Sequence, residues 1–371
     1  QIISVLWSTI SSRKYSYRIW THTVKELFRY LQMNTIKKIF YKLLKANELN
    51  VSESEELFEE IIEKKLNLVQ ISSILSLMTA KGETFNEIYG ALLVLSNKAK
   101  KIKLSSDLID TCGTGGDNKG SFNISTATAI LSSACGLNVA KHGNKSITSK
   151  SGSSDILLAL GINIDLTRNE ILKTYDKCNI CFLFAPNFHP SLKNVSEIRQ
   201  SLPFKTIFNL LGPLLNPTEL SFQLLGVGEK KNLQTHSKCL AKYGIKSAWV
   251  VHSENGYDEL TTTSSNTIIK VKNKKILSPI KLSPQDLGLS LCNQEEISGG
   301  TPEENAYLMH RLFDGETGAI RDNVLLNTAA CLMISGKVKN MRDGLDLAAK
   351  HIDNFSAKKK LEHLIKITKK K

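Results

Sequence analysis

The sequence has no apolar run near the roughly 20 residues that a membrane-spanning helix needs. It also lacks internal repeats and low-complexity linkers, so any domains are expected to share elements rather than hang on a flexible tether. A CxxC is present at Cys178 and Cys181, but no second Cys or His pair lies at zinc-binding spacing. With 41% hydrophobic residues in 371, the composition favours a soluble globular protein of one large and one smaller domain.

The seven cysteines are an odd number and are scattered through apolar stretches such as ILSSACGLNV. This pattern is typical of a reducing compartment, and we expect a cytoplasmic protein. The run CFLFAP that begins at Cys181 resembles a buried strand. Cys178 and Cys181 are therefore interpreted as core residues.

Acidic residues are few relative to basic ones, 35 against 49, which leaves a net charge of +14. Such a charge favours polyanionic partners: nucleic acid, an anionic surface or a phosphate-rich small substrate. Charge alone does not choose among them. Lys-rich runs at 272–275 and 357–364 are interpreted as solvated faces.

The first 32 residues hold no acidic residue before Glu26 and do not begin with Met. Two interpretations stay open: a basic amphipathic presequence, or upstream sequence outside the protein proper. We favour the second, because a clean helical pattern opens at Met33. Residues 1–32 are therefore expected to lie outside the fold.

Apolar residues recur at helical spacing from Thr35 to about Lys101, which predicts a small helical domain over 33–104. SESEE at 52–56 offers a Ser N-cap followed by acids. The segment 191–217 has the pattern helix, turn, helix, and we expect it to join the helical domain in space.

After Leu104, short apolar runs alternate with Gly- and Ser-rich turns and helical patterns, the rhythm of βαβ units. This predicts an α/β domain over 105–371 with a central, mainly parallel sheet flanked by helices. Short β-pieces are expected over 265–297. TPEE at 301–304 supplies an N-cap Thr301, Pro302 and Glu304 for a helical C-terminal third.

The stretch DTCGTGGDNKGSFNIST, 110–126, places Gly113, Gly115 and Gly116 between an apolar strand candidate and a helical run. Such glycines let backbone N–H groups approach a phosphate. The common nucleotide fingerprints GxGxxG and GxxxxGK[ST] both fail here, the first because Asn118 replaces its last Gly. NIST, 123–126, adds hydroxyls at a helix N-terminus, where the dipole favours phosphate.

A second polar loop, KHGNKSITSKSGSSD at 141–155, follows the next short strand. A solvated Ser-rich loop and a structural role for His142 stay open as alternatives. Two phosphate-compatible loops at successive strand ends nevertheless fit the rule that ligands bind at the carboxyl edge of a parallel sheet.

Five motifs occur in a fixed order: GTGGD, FNIST, KHGN followed by SxxSKSGSxD, TIFNxLGPLxNP with Arg199 ahead of it, and GxDE. In this order they resemble the anthranilate phosphoribosyltransferase family, from about Met33 to the C-terminus. The wider fold group includes pyrimidine nucleoside phosphorylases, whose glycine-rich signature differs from GTGGD.

The resemblance implies transfer of a phosphoribosyl group from 5-phosphoribosyl 1-pyrophosphate to anthranilate, the second step of tryptophan biosynthesis, by a homodimer with two Mg²⁺ ions per subunit. Catalytic roles fall on Lys141, Asn144 and Arg199. Anthranilate contacts fall on Gly113, Asn144 and Arg199, and metal contacts on Ser125, Asp258 and Glu259. The implied donor contacts are Gly113, Gly116, Asp117, Ser121, Asn123, Ile124, Ser125, Thr126, Lys141, His142, Gly143, Asn144, Lys145, Ser146, Ile147, Thr148, Ser149 and Ser153.

The sequence departs from the family pattern at Ser121, where Thr is common, at Lys145, where Arg is common, and at Pro203 to Lys205, before TIFN. The first two keep a hydroxyl and a charge, although Lys loses the planar fork of Arg. Two alternatives stay open: a catalytically silent paralogue that binds nucleic acid through its basic surface, and nucleoside phosphorolysis. The first has no need of Asp258, Glu259, Arg199 and an intact KHGN together, so nucleic acid is not the expected partner.

Overall fold

The computed structural model describes residues 35–105, 107–145 and 150–369. The expectation for residues 1–32 lies outside these ranges, as do the predicted donor contacts Ser146, Ile147, Thr148 and Ser149. Among the described residues, no helix is long and apolar enough to cross a membrane.

The described residues begin with the predicted helical segment, in which they form four helices: α1 (Thr35–Leu44), α2 (Val51–Ile62), α3 (Leu68–Lys81) and α4 (Phe85–Lys98). The predicted Ser52 N-cap of α2 is wrong by two residues. The cap is Asn50, whose side chain accepts a hydrogen bond from Glu53 N at 2.9 Å while the Glu53 carboxylate accepts one from Asn50 N at 2.9 Å. An Asn side chain accepts hydrogen bonds from the free amides of a first turn at least as well as Ser does, so the helix begins at the earlier of the two residues.

The α/β part contains one sheet in the order β3-β2-β1-β4-β5-β6-β7, with β8 also paired to β6. Its strands are β1 (Leu108–Gly113), β2 (Asn138–Gly143), β3 (Ile180–Phe184), β4 (Phe222–Gly226), β5 (Ser247–Ser253), β6 (Asn266–Lys272), β7 (Lys275–Ile276) and β8 (Ile280–Leu282). The first five run parallel, and β6 to β8 add antiparallel pairs. The predicted fold class, a mainly parallel sheet with a small helical domain, is confirmed.

Helices connect and flank the strands. They are α5 (Ile124–Ala134), α6 (Ser153–Ala159), α7 (Arg168–Cys178), α8 (Ala185–Phe188), α9 (Ser196–Ser201), α10 (Ile207–Leu211), α11 (Asn232–Tyr243), α12 (Pro302–Phe313), α13 (Ala319–Ile334), α14 (Met341–Asp353) and α15 (Ser356–Thr368). The predicted cap of α12 is confirmed, because Thr301 Oγ1 accepts from Glu304 N at 3.2 Å and the Glu304 carboxylate accepts from Thr301 N at 2.7 Å.

The two faces of the sheet pack on different hydrophobic clusters, and a third, smaller cluster that includes Cys181 lies on the face turned away from α5. Leu224 of β4 belongs to the cluster formed with α5 and the C-terminal helices, and the next residue, Leu225, belongs to the cluster formed with α1 to α4. This alternation follows from the two-residue period of a strand. Buried apolar residues of 195–215 lie in the second cluster, so the helical segment and the sheet share one core.

Cys178 and Cys181 are both buried and free, as the core interpretation requires. They lie in different hydrophobic clusters, Cys178 at the end of α7 and Cys181 in β3.

Candidate active site

A cavity of about 310 Å³ lies at the carboxyl ends of β1 and β2, between the sheet and the segment that carries α9 and α10. Most of the predicted site residues line it together. They are Gly113, Gly116, Asp117, Ser121, Asn123, Ser125, Lys141, His142, Gly143, Asn144, Lys145, Ser153, Arg199, Asp258 and Glu259.

Of the predicted donor residues that the structure describes, two do not line the cavity. The side chains of Ile124 and Thr126 in the first turn of α5 are fully buried in the fold. Their side chains pack inward, so any contact with a ligand from these two positions would come from the backbone.

The glycine-rich loop after β1 depends on backbone conformations that favour glycine. Gly115 and Gly116 have φ of 66° and 64°, in the left-handed region. Gly115 N donates a 2.7 Å hydrogen bond to Asp258 Oδ2, which ties this loop to the GxDE motif. The loop therefore brings the first and last of the five motifs into contact.

The N-terminus of α5 points into the cavity next to this loop. Asn123 is its N-cap residue, but its side chain makes no capping bond and instead bonds Ser151 and Asn305. Ser125 N lies 3.3 Å from Glu259 Oε1. A helix N-terminus with hydroxyls around it is suited to an anion, as predicted from NIST.

Three acidic residues line the cavity, and two of them, Asp258 and Glu259, have raised pKa values. Burial, and after it the charge of Asp117, raises the pKa of Asp258 to about 7. Burial and the neighbouring Asp258 and Asp117 raise the pKa of Glu259 well above its usual range. Glu259 Oε2 and Asp117 Oδ2 are buried without a hydrogen-bond partner.

These carboxylates fit a hard divalent cation, which prefers oxygen ligands and would relieve their repulsion. Within the described ranges, however, no three His, Cys, Asp or Glu side chains converge closely enough to hold a metal by themselves. A cation here therefore needs further oxygen atoms, for example from Ser125 or a phosphate.

Asp258 is seated on two glycines at the ends of β1 and β4. A Cβ on Gly226 would overlap the Asp258 carbonyl oxygen, and a Cβ on Gly113 would overlap the Asp258 carboxylate. Only glycine permits so close an approach. Gly113 and Gly226 therefore set how closely Asp258 and Glu259, which we call the acidic turn, approach the sheet.

Lys141 is 2% exposed and lies at the floor of the cavity. Its Nζ donates to Thr111 O and lies 3.4 Å from Ser125 Oγ. Next to it is the buried Asp110, whose pKa is raised because the effect of burial outweighs the opposing effect of the Lys141 charge. Asn216 Nδ2 donates to Asp110 Oδ2 at 2.9 Å, so the LGPLxNP motif closes this buried network.

The opposite wall combines Arg199 with apolar and aromatic side chains. The Arg199 guanidinium lies 5.6 Å from the centre of the Phe208 ring, and its Nε is buried without a hydrogen-bond partner. Burial lowers the pKa of Arg199. A half-buried guanidinium without a paired carboxylate among the described residues is suited to an incoming anionic group.

His142 and His189 stand edge to face in this wall, with ring centres 5.4 Å apart. Burial lowers the pKa of His142 to about 3 and also lowers that of His189, so both rings are neutral at pH 7. His142 Nε2 is buried without a partner and His189 Nε2 lies 2.8 Å from Leu215 O. His142 is thus buried, as a structural histidine is, and also lines the cavity.

The sequence matches family models and known proteins over most of its length. The model of the glycosyl transferase family a/b domain matches residues 105–358, and that of its helical bundle domain matches residues 37–99. An anthranilate phosphoribosyltransferase of Acetivibrio thermocellus is 42% identical over 90% of this chain and 96% of its own length. The chain belongs to the anthranilate phosphoribosyltransferase family.

Solved structures of this family have the same fold. The anthranilate phosphoribosyltransferase of Thermus thermophilus has a TM-score of 0.83 at 32% identity, covering 91% of this chain and 100% of that one. The Saccharomyces cerevisiae anthranilate phosphoribosyltransferase, solved in complex with PRPP and Mg, has a TM-score of 0.83 at 27% identity, covering 90% and 98%.

Sequence reasoning missed several residues of this anthranilate phosphoribosyltransferase-family site. Asp110 carries a signal, since it is the one acid inside the apolar run LIDTC, and Asn216 lies in the LGPLxNP motif but was given no role, whereas His189 stands in an unremarkable loop. Their place in the site depends on the tertiary contacts between β1, β2 and the 190–217 segment.

Proposed function

We infer that this chain is an anthranilate phosphoribosyltransferase. It transfers the phosphoribosyl group of 5-phosphoribosyl 1-pyrophosphate to the amine of anthranilate, giving N-(5-phosphoribosyl)anthranilate and pyrophosphate in tryptophan biosynthesis. The observation that carries this function is the single cavity in which a glycine-rich anion loop, a buried acidic turn and a half-buried arginine face one another.

The donor is proposed to bind on the sheet side. The amides of the loop at Gly113, Gly116 and Asp117 and the N-terminus of α5 would hold its phosphates. Lys141 supplies a buried positive charge close to the leaving group, where a low dielectric makes it effective. The hydroxyls of Ser121, Ser125 and Ser153 line the same side.

Magnesium, two ions per subunit, is proposed to bind at Asp258, Glu259 and Ser125. The raised pKa values of the two carboxyls and the unpartnered Glu259 Oε2 support a cation at this place. When bound, Mg²⁺ neutralises the charge of the pyrophosphate. Because Gly115 N donates to Asp258 Oδ2, the acidic turn would hold the cation next to the glycine-rich loop.

Anthranilate is proposed to bind on the opposite wall, with its carboxylate on Arg199, its polar edge near Asn144 and Gly113, and its ring against Phe208. Its amine would then attack ribose C1 as the bond to pyrophosphate breaks. Arylamines are nucleophilic when neutral, so positioning and charge supply most of the catalysis. Both histidines stay neutral at pH 7 and add no positive charge beside the amine.

We further propose a homodimer that forms through the helical segment. Tyr41 and Leu44 of α1 and Leu68 and Val69 of α3 are large apolar side chains that are 48–75% exposed. The two helices are neighbours, so these side chains form a patch of the kind found at protein interfaces.

We also propose the bounds of the two domains and the cellular location. The helical domain spans 33–104 and is joined by 191–217, and the α/β domain spans 105–371. Buried apolar residues of 195–215 lie in the same cluster as those of α1 to α4, which supports joining 191–217 to the helical domain. A cytoplasmic location is supported by seven free cysteines.

The activity is tested with purified protein, donor, Mg²⁺ and anthranilate by measuring pyrophosphate release and the mass of the organic product. We expect one pyrophosphate for each anthranilate consumed. Release of ribose phosphate from uridine or thymidine would instead indicate phosphorolysis. Tight, steeply salt-dependent binding to random DNA with no turnover would indicate the silent nucleic-acid-binding protein.

A further inference from the structure

Residues 257–265, which carry the acidic turn, have no regular secondary structure although they are largely buried. Leu260, Thr261 and Thr262 are fully buried. Backbone groups in such a stretch have no helix or strand partner and need hydrogen bonds from elsewhere. Because Leu260 follows Glu259 directly, whatever holds this backbone also positions the carboxylates.

Two asparagines of α13, one turn apart, hold the stretch from one side. Asn327 Oδ1 accepts from Leu260 N at 3.2 Å and Asn327 Nδ2 donates to Leu260 O at 2.7 Å. Asn323 Oδ1 accepts from Thr262 N at 2.9 Å and Asn323 Nδ2 donates to Thr262 Oγ1 at 2.7 Å.

A third asparagine, Asn266 at the start of β6, holds the residue between them. Its Oδ1 accepts from Thr261 N at 2.9 Å and its Nδ2 donates to Thr261 O at 2.9 Å. Three consecutive residues are thus hydrogen-bonded by asparagine side chains. We call Asn266, Asn323 and Asn327 the asparagine clamp. All three are buried.

Packing alone does not call for these side chains. The helix α13 has the sequence AIRDNVLLNTAACLMI, in which Asn323 and Asn327 interrupt a buried apolar surface. A buried amide stabilises a fold only when its donors and acceptor are satisfied, and here both helix asparagines are fully used on the turn and on their own helix.

The other side of the acidic turn is fixed by the two glycines on which it sits, Gly113 and Gly226. The close contacts with the two glycines prevent the turn from moving toward the sheet. The hydrogen bonds of the clamp prevent it from moving away. The backbone around Asp258 and Glu259 is therefore held on both sides.

We propose that the asparagine clamp positions Asp258 and Glu259 for the divalent cation and so sets the cation affinity of the site. The clamp residues do not line the cavity of the candidate site, and they act through the backbone of Leu260, Thr261 and Thr262. The inference rests on the magnesium site of the proposed function. Asn327, which holds the neighbour of Glu259, has the largest effect.

The test uses Asn327→Leu, which keeps the volume but removes both hydrogen bonds, and the milder Asn323→Ser. Leu364→Ala is the matched control, because Leu364 is fully buried in α15, away from the turn. Binding of Mn²⁺ in the presence of inorganic pyrophosphate is measured from the electron paramagnetic resonance signal of free Mn²⁺. The Mg²⁺ concentration for half-maximal turnover is measured in parallel.

We expect Asn327→Leu to weaken Mn²⁺ binding by about tenfold or more, the scale found for residues that orient metal ligands. Half-maximal turnover should need correspondingly more Mg²⁺, with most of kcat recovered at saturation. Asn323→Ser should shift both in the same direction by less, and Leu364→Ala should shift neither. These results would support the clamp.

Unchanged Mn²⁺ affinity in folded Asn327→Leu and Asn323→Ser would overturn the proposal, as would an equal loss in Leu364→Ala. If Asn327→Leu does not fold, Asn323→Ser decides alone. Absence of Mn²⁺ binding in the unmodified protein would overturn the magnesium site and the clamp's role with it, whereas pyrophosphate release tests the transferase activity separately.

Discussion

Arg199 carries a positive charge into a half-buried wall of the cavity, next to the Phe208 ring and without a carboxylate partner among the described residues. Burying a charge in this way costs free energy unless a ligand pairs with it. A substrate carboxylate would supply that pair, and the planar guanidinium suits it.

Arg199→Ala is therefore expected to lower kcat/KM for anthranilate by about 10- to 100-fold, the equivalent of a charged hydrogen bond of roughly 1.5–3 kcal/mol. Steady-state kinetics with each substrate varied measures it, and KM for the donor should stay near its original value. Arg342→Ala on the exposed surface of α14 is the control. Equal loss toward both substrates would argue against an acceptor role.

The buried acidic turn makes cation binding depend on pH. The pKa of Asp258 is about 7 in the folded protein and roughly 3.9 in an unfolded chain. Without a cation, the stability contributed by this protonated carboxyl is present below about pH 4 and is lost as pH rises through about 7. Mg²⁺ competes with the proton, so its affinity rises over the same interval.

We therefore expect Mg²⁺ to raise Tm more at pH 8 than at pH 6, measured by differential scanning calorimetry. In Asp258→Asn the difference between the two pH values should shrink, because one titrating group is gone. A Tm increase that is equal at both pH values would contradict the role assigned to the acidic turn.

The helices and strands were predictable from the sequence in their order and type. The βαβ rhythm after Leu104 and the capping box at Thr301 depend on local patterns, which a sequence displays directly. The start of α2 was placed two residues late, because Asn50 and Ser52 are both good caps and only the hydrogen bonds distinguish them.

Contacts between distant elements could not be predicted in this way. Asp110 with Asn216, and the two helix asparagines of the clamp with the acidic turn, join residues about 60 to 100 positions apart. Nothing in a short window shows which asparagine will meet which backbone group. The family resemblance supplied the candidate ligand residues, but the network that supports them is visible only in the fold.

The junction of β4 with the acidic turn provides a test at this scale. Gly226→Ala forces the Asp258 backbone away from the sheet, and such overpacking costs about 1–3 kcal/mol. We expect a lower Tm together with weaker Mg²⁺ activation. Gly228→Ala is the matched control, since its added Cβ would lie 3.5 Å from Asp117 Cβ, an ordinary contact. Equal effects of the two alanines would mean that the close approach at Gly226 is not what positions the turn.

At the scale of the whole molecule, the cavity lies where α9 and α10 meet the sheet, and both helices share a core with α1 to α4. The helical segment therefore supports the wall that is proposed to bind anthranilate, while β1, β2 and the acidic turn support the side that is proposed to bind the donor. Any movement between these parts would change the distance between the two substrates.

The exposed patch on α1 and α3 predicts the oligomeric state. Light scattering during size-exclusion chromatography should give twice the chain mass of 41.2 kDa. Val69→Lys, which places a charge in the patch, should shift the protein toward the monomer. Leu291→Lys, at an apolar residue with 51% exposure in the α/β part, should not. A single-chain mass for the unmodified protein would contradict the dimer.

The most direct test of the central claim is turnover followed by anthranilate fluorescence, with the purified protein and the donor, in the presence and absence of Mg²⁺. The geometry of the cavity predicts a steady loss of anthranilate fluorescence that requires both the donor and the cation. Unchanged fluorescence with Mg²⁺ and saturating donor would contradict the assignment of this cavity as a phosphoribosyl transfer site.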